Sequence, residues 1–257
     1  MTPRIYFPRS PEPGESLELP ADQLRYLRNV LRLKTGDALT LFDGRGFEYS
    51  ALITGLGGRR AQVKVTAKNR IPEEPAPKIT LAQALPKGAK LEWIIQKATE
   101  LGASGILPFT SARSIPKIQE NKIEEKLSRW RKIAAEAAEQ CGRFDVPEIP
   151  DILTFEKALE RAAAGSLKVI FWEVESERSL REVLGDNAVG IKDVFVVVGP
   201  EGGFGPAEID RARTAGFVTA SLGKRVLRVE TAALAVLAIL QYALGGFTGL
   251  KKTESQT

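Results

Sequence analysis

The chain has 257 residues, of which 43% are hydrophobic and 27% are charged, and its formal net charge is +5. A chain of this length and composition can bury one large or two modest cores, so it is neither disordered nor fibrous. It has no histidine and one cysteine, Cys141, which excludes a Ser-His-Asp triad, an imidazole base, a histidine-ligated metal and an internal disulfide. We therefore expect chemistry without a metal, in a reducing compartment.

No segment of the sequence predicts export or membrane insertion. Residues 1–13 contain arginines and prolines but no apolar run of the secretory type. The longest apolar stretch, residues 232–244, is shorter than the roughly 20 residues that a membrane span needs. The sequence predicts a cytoplasmic protein without a membrane partner, and its small positive charge permits an anionic one.

The first part of the chain has the pattern of a small β-domain. Short alternating runs at 38–42, 49–54 and 61–65 are separated by turns rich in glycine. This rhythm is typical of a small β-barrel or sandwich.

One segment of this first part is helical in pattern. Leucines at 24, 27 and 31 recur at spacings of three and four, and so do Arg25, Arg28 and Arg32. The spacing predicts a short amphipathic helix with a basic face.

A proline-rich segment, residues 71–78, disfavours both a helix and a central strand. We place the domain boundary there. The predicted division is a β-domain of residues 1–72, a linker of residues 73–77, a second domain of residues 78–250 and a disordered tail of residues 251–257.

The second part of the chain alternates between strand and helix patterns. Strands are predicted at 79–84, 106–109, 168–172, 193–198 and 219–222, and helices at 90–101, 120–140, 206–215 and 231–244. Alternation of this kind predicts an α/β fold, in which helices cover a mostly parallel sheet.

Two glycine-rich loops follow predicted strands of this sheet. The first begins at Gly199 and leads into a helix; the second contains Gly223 and places Arg225 and Arg228 just before the apolar helix. Ligands bind at the carboxyl ends of strands in such sheets, and glycine lets the backbone approach a ligand closely. The first loop does not have the spacing of a phosphate-binding loop. In the second loop, Arg225 and Arg228 oppose the helix dipole unless an anion binds there. Tight structural turns explain the glycines equally well, and helix capping explains Glu230 and Thr231.

Several strings of the sequence occur together in one family. The chain carries Gln96-Lys-Ala-Thr-Glu-Leu-Gly102, Glu139-Gln-Cys-Gly-Arg143, Gly199-Pro-Glu-Gly-Gly-Phe204 and Leu222-Gly-Lys-Arg-Val-Leu-Arg-Val-Glu-Thr-Ala232. This set resembles the bacterial 16S rRNA uridine-N3 methyltransferases, members of the SPOUT superfamily of knotted S-adenosylmethionine (SAM) enzymes. The resemblance implies a PUA-like RNA-binding barrel followed by an α/β domain whose backbone forms a trefoil knot.

The resemblance also implies partners and a cofactor site. The enzyme would bind SAM, release S-adenosylhomocysteine, act on 16S rRNA within the 30S subunit near the decoding centre, and form a homodimer through its last helix. By analogy, the cofactor-binding residues are Phe171, Trp172, Glu173, Gly199, Pro200, Glu201, Gly202, Gly203, Leu222, Gly223, Val226, Leu227, Arg228 and Thr231.

Methyl transfer to uracil N3 requires the loss of the N3 proton, so a carboxylate base or a cation that stabilises the anionic ring is expected. Arg228 is our candidate for stabilising or orienting the uracil, and Glu230 or Glu100 for the base; Glu201 is a weaker candidate because it can equally order its loop. A surface or capping role remains open for each carboxylate.

RNA docking would use the first domain. The candidate residues are Arg4, Tyr6, Arg25, Arg28 and Arg32, which combine cations for phosphates with an aromatic ring for stacking. A solvated basic helix face is the alternative interpretation.

Two other functions fit the same sequence. One is a SPOUT methyltransferase that acts on another base or another RNA, which product analysis would distinguish. The other is a non-catalytic RNA-binding factor with a relic SAM pocket, which would bind SAM weakly or not at all.

Overall fold

The chain divides into two compact units, Met1–Glu74 with Ala135–Val146 and Pro75–Ala134 with Pro147–Thr257. The computed structural model describes residues 2–71, 77–114, 119–185 and 188–247. The predicted linker lies outside the described residues except for Pro77, and the predicted tail of residues 251–257 lies wholly outside them.

The first unit contains a curled five-stranded sheet among its described residues. Its strands, in spatial order, are β1 (Arg4–Tyr6), β3 (Ala38–Phe42), β4 (Phe47–Gly55), β5 (Ala61–Arg70) and β2 (Ser16–Leu19). Alternate residues of β4 and β5 are buried, as the period-two pattern predicts, and they pack into one core with residues such as Ile5, Leu19 and Leu27. The predicted small β-domain is therefore confirmed, with β1 and β2 as the edges of its sheet.

The predicted amphipathic helix is shorter than its leucine pattern suggests. Helix α1 covers Ala21–Arg25, and a π-helical turn continues it over Tyr26–Val30, with the Leu31 amide donating to the Tyr26 carbonyl at 3.0 Å. Arg32 follows with φ 55°, the left-handed region that non-glycine residues rarely adopt. The basic stripe of the sequence is thus correct for Arg25 and Arg28, whereas Arg32 has already left the helix.

Residues 135–146, which the sequence-based division placed in the second domain, belong to the first unit. The Arg4 guanidinium donates to the Arg143 carbonyl at 2.8 Å and lies 4.0 Å from the centre of the Phe144 ring. The Tyr6 amide donates to the Glu139 carboxylate at 2.6 Å. These contacts join β1 to the end of a helix that is more than a hundred residues away in sequence, which no local pattern reveals.

The second unit is an α/β structure with a six-stranded sheet, which confirms the predicted fold class. Its strands, in spatial order, are β11 (Val218–Ala220), β9 (Leu167–Phe171), β10 (Asp193–Val198), β6 (Lys78–Ala84), β7 (Gly105–Thr110) and β8 (Leu153–Thr154). Every pairing between these described strands is parallel.

Six helices are described alongside this sheet. They are α2 (Lys90–Glu100), α3 (Ile123–Cys141), α4 (Phe155–Glu160), α5 (Leu180–Leu184), α6 (Pro206–Thr214) and α7 (Val229–Ala243). The predicted helix and strand bounds agree within a few residues, whereas β1, β2, β8, α4 and α5 are short and were missed.

The sheet register sets the position of the candidate site. Ile170 of β9 pairs with Val197 of β10, and Phe171 pairs with Ala220 of β11, so three strands end at the same edge of the sheet. The segments that follow these strands must therefore meet. Helices α2 and α7 pack side by side, with Lys90 beside Glu230 at one end and Gly102 beside Gln241 at the other.

Candidate functional site

A cavity of about 520 Å³ lies at the carboxyl ends of β9, β10 and β11. Three segments line it: residues 171–179, residues 198–204 and residues 220–229. The two glycine loops and the segment after β9 thus line one pocket, as the family resemblance implies.

The first glycine loop needs glycine at two positions. Gly203 is buried and has φ +65°, and a Cβ there would lie 2.7 Å from the carboxylate carbon of Glu173. A Cβ on Gly199 would lie 3.0 Å from the ring of Phe204, which packs with Phe109 and Phe155 in the core. Any side chain at either position would intrude on the pocket wall or on the core beneath it.

The other end of this loop is fixed by Glu208, a buried carboxylate in the first turn of α6. It accepts hydrogen bonds from the amides of Gly205 at 2.9 Å and Ala112 at 3.0 Å. Glu208 thereby ties the glycine loop to the segment after β7. These two hydrogen bonds fix the end of the loop at the start of α6.

The segment after β9 contributes carboxylates to the pocket. Glu175 lines it, and hydrogen bonds from the Thr219 hydroxyl and from the amides of Glu177 and Arg178 hold the pKa of Glu175 below its ordinary value. Glu173 also lines the pocket and is exposed. Both groups can accept hydrogen bonds from a ligand or lie near a cationic one.

The second glycine loop contributes cations. Gly223 has φ +101°, and its amide donates to the Ser221 hydroxyl at 3.1 Å, which forms a tight turn. Lys224 and Arg225 follow, exposed at the mouth of the pocket. The pocket is therefore lined by acidic and basic side chains, and residues such as Leu227 add an apolar part to its wall.

A charged cluster lies at the neighbouring strand end, between β6 and α2. Lys90 donates to Glu201 at 2.8 Å and lies 3.5 Å from Oε2 of Glu230, and the Lys87 amide donates to Glu201 at 3.2 Å. The hydrogen bond to Glu201 raises the pKa of Lys90. Partial burial opposes ionisation of Glu201, but these donors leave its pKa below the ordinary value. Both carboxylates thus stand beside a protonated lysine.

Most of the predicted cofactor residues come together in the pocket. Its lining includes Phe171, Trp172, Glu173, Gly199, Pro200, Gly203, Leu222, Gly223, Val226 and Leu227. Glu201, Gly202, Arg228 and Thr231 are neighbours of lining residues but are not themselves part of the lining. Their contact with a ligand stays a prediction.

The catalytic candidates are separated by the structure. Arg228 is the N-cap residue of α7 and is exposed, and Glu230 follows in the first turn. Glu100 lies in the last turn of α2, paired with Lys97 at 2.7 Å. Ten residues of helix separate it from Lys90, a distance of about 15 Å at 1.5 Å per residue. Glu100 therefore lies far from the Lys90 cluster.

The RNA-binding candidates also divide into two groups. Arg25, Arg28 and Arg32 are exposed. Arg4 is packed between the rings of Phe42 and Phe144, which favours a structural role for it. Tyr6 is partly buried against Phe42, and burial raises its pKa.

Sequence reasoning missed part of the pocket. Glu175, Arg178, Ser179, Lys224 and Arg225 line it but were not assigned to it. The sequence contained a signal for Lys224 and Arg225, because both lie inside the second glycine loop. For the others, the only signal is that they follow the end of a strand whose neighbours both carry glycine loops.

The described ranges contain neither a cluster of metal ligands nor a membrane-spanning helix. Among those residues, no group of three or more acidic or cysteine side chains is arranged to hold a metal ion. No helix in the described part of the chain is long and apolar enough to cross a membrane.

The chain combines a parallel α/β unit, which has a pocket at its strand ends, with a small β-unit, and family models identify the class of protein that has this arrangement. Residues 72–241 match a family described as RNA methyltransferase domain, and residues 19–66 match one described as RNA methyltransferase PUA domain. The chain belongs to this RNA methyltransferase family.

Individual relatives match over nearly the whole chain. Ribosomal RNA small subunit methyltransferase E of Bacillus subtilis is 35% identical over 236 residues, which cover 90% of this chain and 91% of that protein. The protein of the same name from Synechocystis is 36% identical over 223 residues, which cover 87% of this chain and 72% of that protein.

Solved structures agree with this family. A Legionella pneumophila chain described as a methyltransferase in complex with SAM has a TM-score of 0.85 and 37% identity, and the match covers 95% of this chain and 98% of that one. Ribosomal RNA small subunit methyltransferase E of Neisseria gonorrhoeae, bound to SAM, has a TM-score of 0.81 and 34% identity, over 94% and 98% of the two chains.

Proposed function

We propose that this protein transfers a methyl group from SAM to N3 of one uridine in 16S rRNA, near the decoding centre of the 30S subunit, in the cytoplasm. The observation that carries the proposal is the pocket at the ends of β9, β10 and β11, which gathers both glycine loops. The Neisseria gonorrhoeae structure, a methyltransferase of the small ribosomal subunit RNA, is bound to SAM, and its match covers 94% of this chain at 34% identity.

The residues of the pocket suit SAM. A cavity of about 520 Å³ is in the range of small-molecule and cofactor sites. Because Gly203 has no Cβ, the Glu173 carboxylate can pack against its backbone, which keeps that carboxylate at the pocket wall. Glu173 and Glu175 can accept hydrogen bonds from the hydroxyl or ammonium groups of SAM. Lys224 and Arg225 can pair with the carboxylate of its methionine part.

SAM supplies an electrophilic methyl group on a sulfonium, and the protein must deprotonate and orient the uracil of the RNA. Glu230 is the favoured base because its carboxylate lies in the first turn of α7, directly after the cofactor loop. Both carboxylates lie beside Lys90, but Glu201 accepts hydrogen bonds from Lys90 and the Lys87 amide, whereas Oε2 of Glu230 accepts none among the described residues. Glu100 lies at the far end of α2. Arg228, exposed beside Glu230, is placed to orient the ring or stabilise its negative charge.

We assign RNA docking to the first unit. Arg25 and Arg28 project from α1 and the π-helical turn, and Arg32 follows in a strained backbone conformation. Strain and π-helical turns persist mainly where function requires them. This segment therefore supplies phosphate contacts, while Arg4 stabilises the unit.

We also propose a homodimer and a trefoil knot. The dimer would bury the outer face of α7, where Ile239 is 44% and Tyr242 is 81% exposed, together with Trp93 of α2 at 45%. Ile239 and Tyr242 are three residues apart, so they share one face of α7, and adjoining exposed apolar side chains are typical of an interface. The knot would involve the loops at Gly199 and Gly223.

The deciding experiment is methyl transfer from labelled SAM to 30S subunits and to naked 16S rRNA from cells that lack the modification. An N3-methyl group blocks Watson–Crick pairing, so reverse transcription should stop at a single uridine near the decoding centre. Transfer to another base or another RNA would contradict the proposed specificity. A protein that neither transfers methyl groups nor binds SAM would have a relic pocket.

A further inference from the structure

Lys90 joins two walls of the cofactor pocket without lining it. Its ammonium donates to Glu201, in the first glycine loop, at 2.8 Å. The same ammonium lies 3.5 Å from Oε2 of Glu230, in the first turn of α7. Gly199 and Gly203 on one side, and Val229 on the other, line the pocket. One side chain of α2 therefore connects both segments.

Burial makes this connection significant. The side chain of Lys90 is 36% exposed, that of Glu201 is 27% and that of Glu230 is 19%. Oε2 of Glu230 is buried and accepts no hydrogen bond among the described residues, so the ion pair with Lys90 is its described compensation. A buried carboxylate oxygen without a compensating cation is costly, so removal of Lys90 favours displacement of the Glu230 side chain from its position at the start of α7.

The two carboxylates share the single ammonium of Lys90. Glu201 and Glu230 repel one another unless a cation lies between them, and the Lys87 amide anchors only Glu201. A neutral side chain of equal length would leave both carboxylates without that cation. An arginine would keep the charge and could bridge both groups.

We propose that Lys90 is a positioning residue for methyl transfer: by bridging Glu201 and Glu230, it fixes the first glycine loop against the start of α7 and so sets both the cofactor pocket and the catalytic carboxylate. This inference deepens the proposed function and rests on it for the role of Glu230. The effect on SAM binding, however, is independent of which RNA is modified.

The test compares Lys90→Met and Lys90→Arg with a matched control, Arg129→Met. Arg129 of α3 donates to Glu92 of α2 at 2.7 Å, so this control removes one cation and one ion pair that involves α2 without touching Lys90. Calorimetry gives the Kd for SAM, steady-state kinetics give kcat and the KM for rRNA, and thermal unfolding reports stability.

Lys90→Met should weaken SAM binding about tenfold, the value of one charge-assisted hydrogen bond, and lower kcat further while the KM for rRNA stays unchanged. Lys90→Arg should restore most of the SAM affinity and most of kcat, and Arg129→Met should leave SAM affinity and kcat unaltered. A purely structural role would lower the unfolding temperature of Lys90→Met without rescue of kcat by arginine.

A double-mutant cycle with Glu201→Gln isolates the bridge. If the bridge carries the effect, Lys90→Met should cost less SAM affinity in the Glu201→Gln background than in the wild type, whereas fully additive losses would overturn the proposal. Wild-type Kd and kcat in Lys90→Met would overturn it as well. Wild-type protein that binds SAM but modifies no uridine of 16S rRNA would refute the proposed function alone, since the SAM affinities still decide the bridge.

Discussion

Replacing Gly203 by alanine tests the assignment of the pocket most directly. Gly203 has φ +65°, and the added Cβ would lie 2.7 Å from the carboxylate carbon of Glu173. The left-handed backbone alone costs about 1 to 2 kcal/mol of unfolding free energy for a residue with a Cβ. Glu173 is exposed and can swing away, so its displacement adds little to this cost but removes its carboxylate from the pocket wall.

The consequences for stability and for binding are separable. A loss of 1 kcal/mol lowers the unfolding temperature by about 2 to 4 °C for a unit of this size. If Glu173 contacts SAM, the lost hydrogen bond to a charged group costs about 1.5 to 3 kcal/mol, or roughly tenfold to hundredfold in Kd. The added methyl group also occupies the pocket, so the effect should fall at or above this range.

Gly216→Ala is the matched control. Gly216 has φ +85°, a Cβ on it would meet no other atom within 4 Å, and it follows α6 outside the pocket lining. The substitution should lower the unfolding temperature by a similar amount and leave the Kd for SAM unchanged. Calorimetric titration and thermal unfolding of both variants measure the two effects. Wild-type SAM affinity in Gly203→Ala would refute the placement of the cofactor.

Three other predictions concern the first unit and the dimer. Burial raises the pKa of Glu139 to about 7, above the ordinary carboxyl value of 4.5. Its favourable contribution to the free energy of unfolding is therefore complete below about pH 4.5 and is lost as the pH rises through about 7. Urea unfolding of the wild type and of Glu139→Gln should show a pH-dependent difference of about 1 to 3 kcal/mol, and identical pH profiles would contradict this prediction. Charge reversal of Arg25 and Arg28 should lower the affinity for rRNA and reduce the slope of log K against log salt by about 1 per lost phosphate contact. An unchanged slope in this variant would argue against RNA docking at these two arginines. Arg4→Met, in contrast, should lower the unfolding temperature. Tyr242→Glu should produce monomers in sedimentation experiments, and a wild-type sedimentation coefficient would place the interface elsewhere.

Local patterns were sufficient for the α/β fold class and for the two glycine loops, whereas the individual cofactor residues came from the resemblance to a known family. The β-branched run of β10 and the glycines after it are neighbours in sequence, so strand, turn and ligand loop can be read together. The same holds for Gly223 and the start of α7. Parallel strands then bring such loops to one edge of the sheet, which is why the two loops could be assigned to one pocket before the register was known.

Long-range packing decided the remainder. The sequence placed Arg4 on an RNA-binding surface, but residues 135–146 return to the first unit and enclose its guanidinium. Glu100 was a candidate base until the side-by-side packing of α2 and α7 placed it at the far end from Glu230. Lys90 is the first residue of the predicted helix 90–101, and the sequence could not show what its charge does, because its two partners are more than a hundred residues away. A periodic pattern specifies which face of an element is buried, whereas only the tertiary structure specifies which distant side chain meets it.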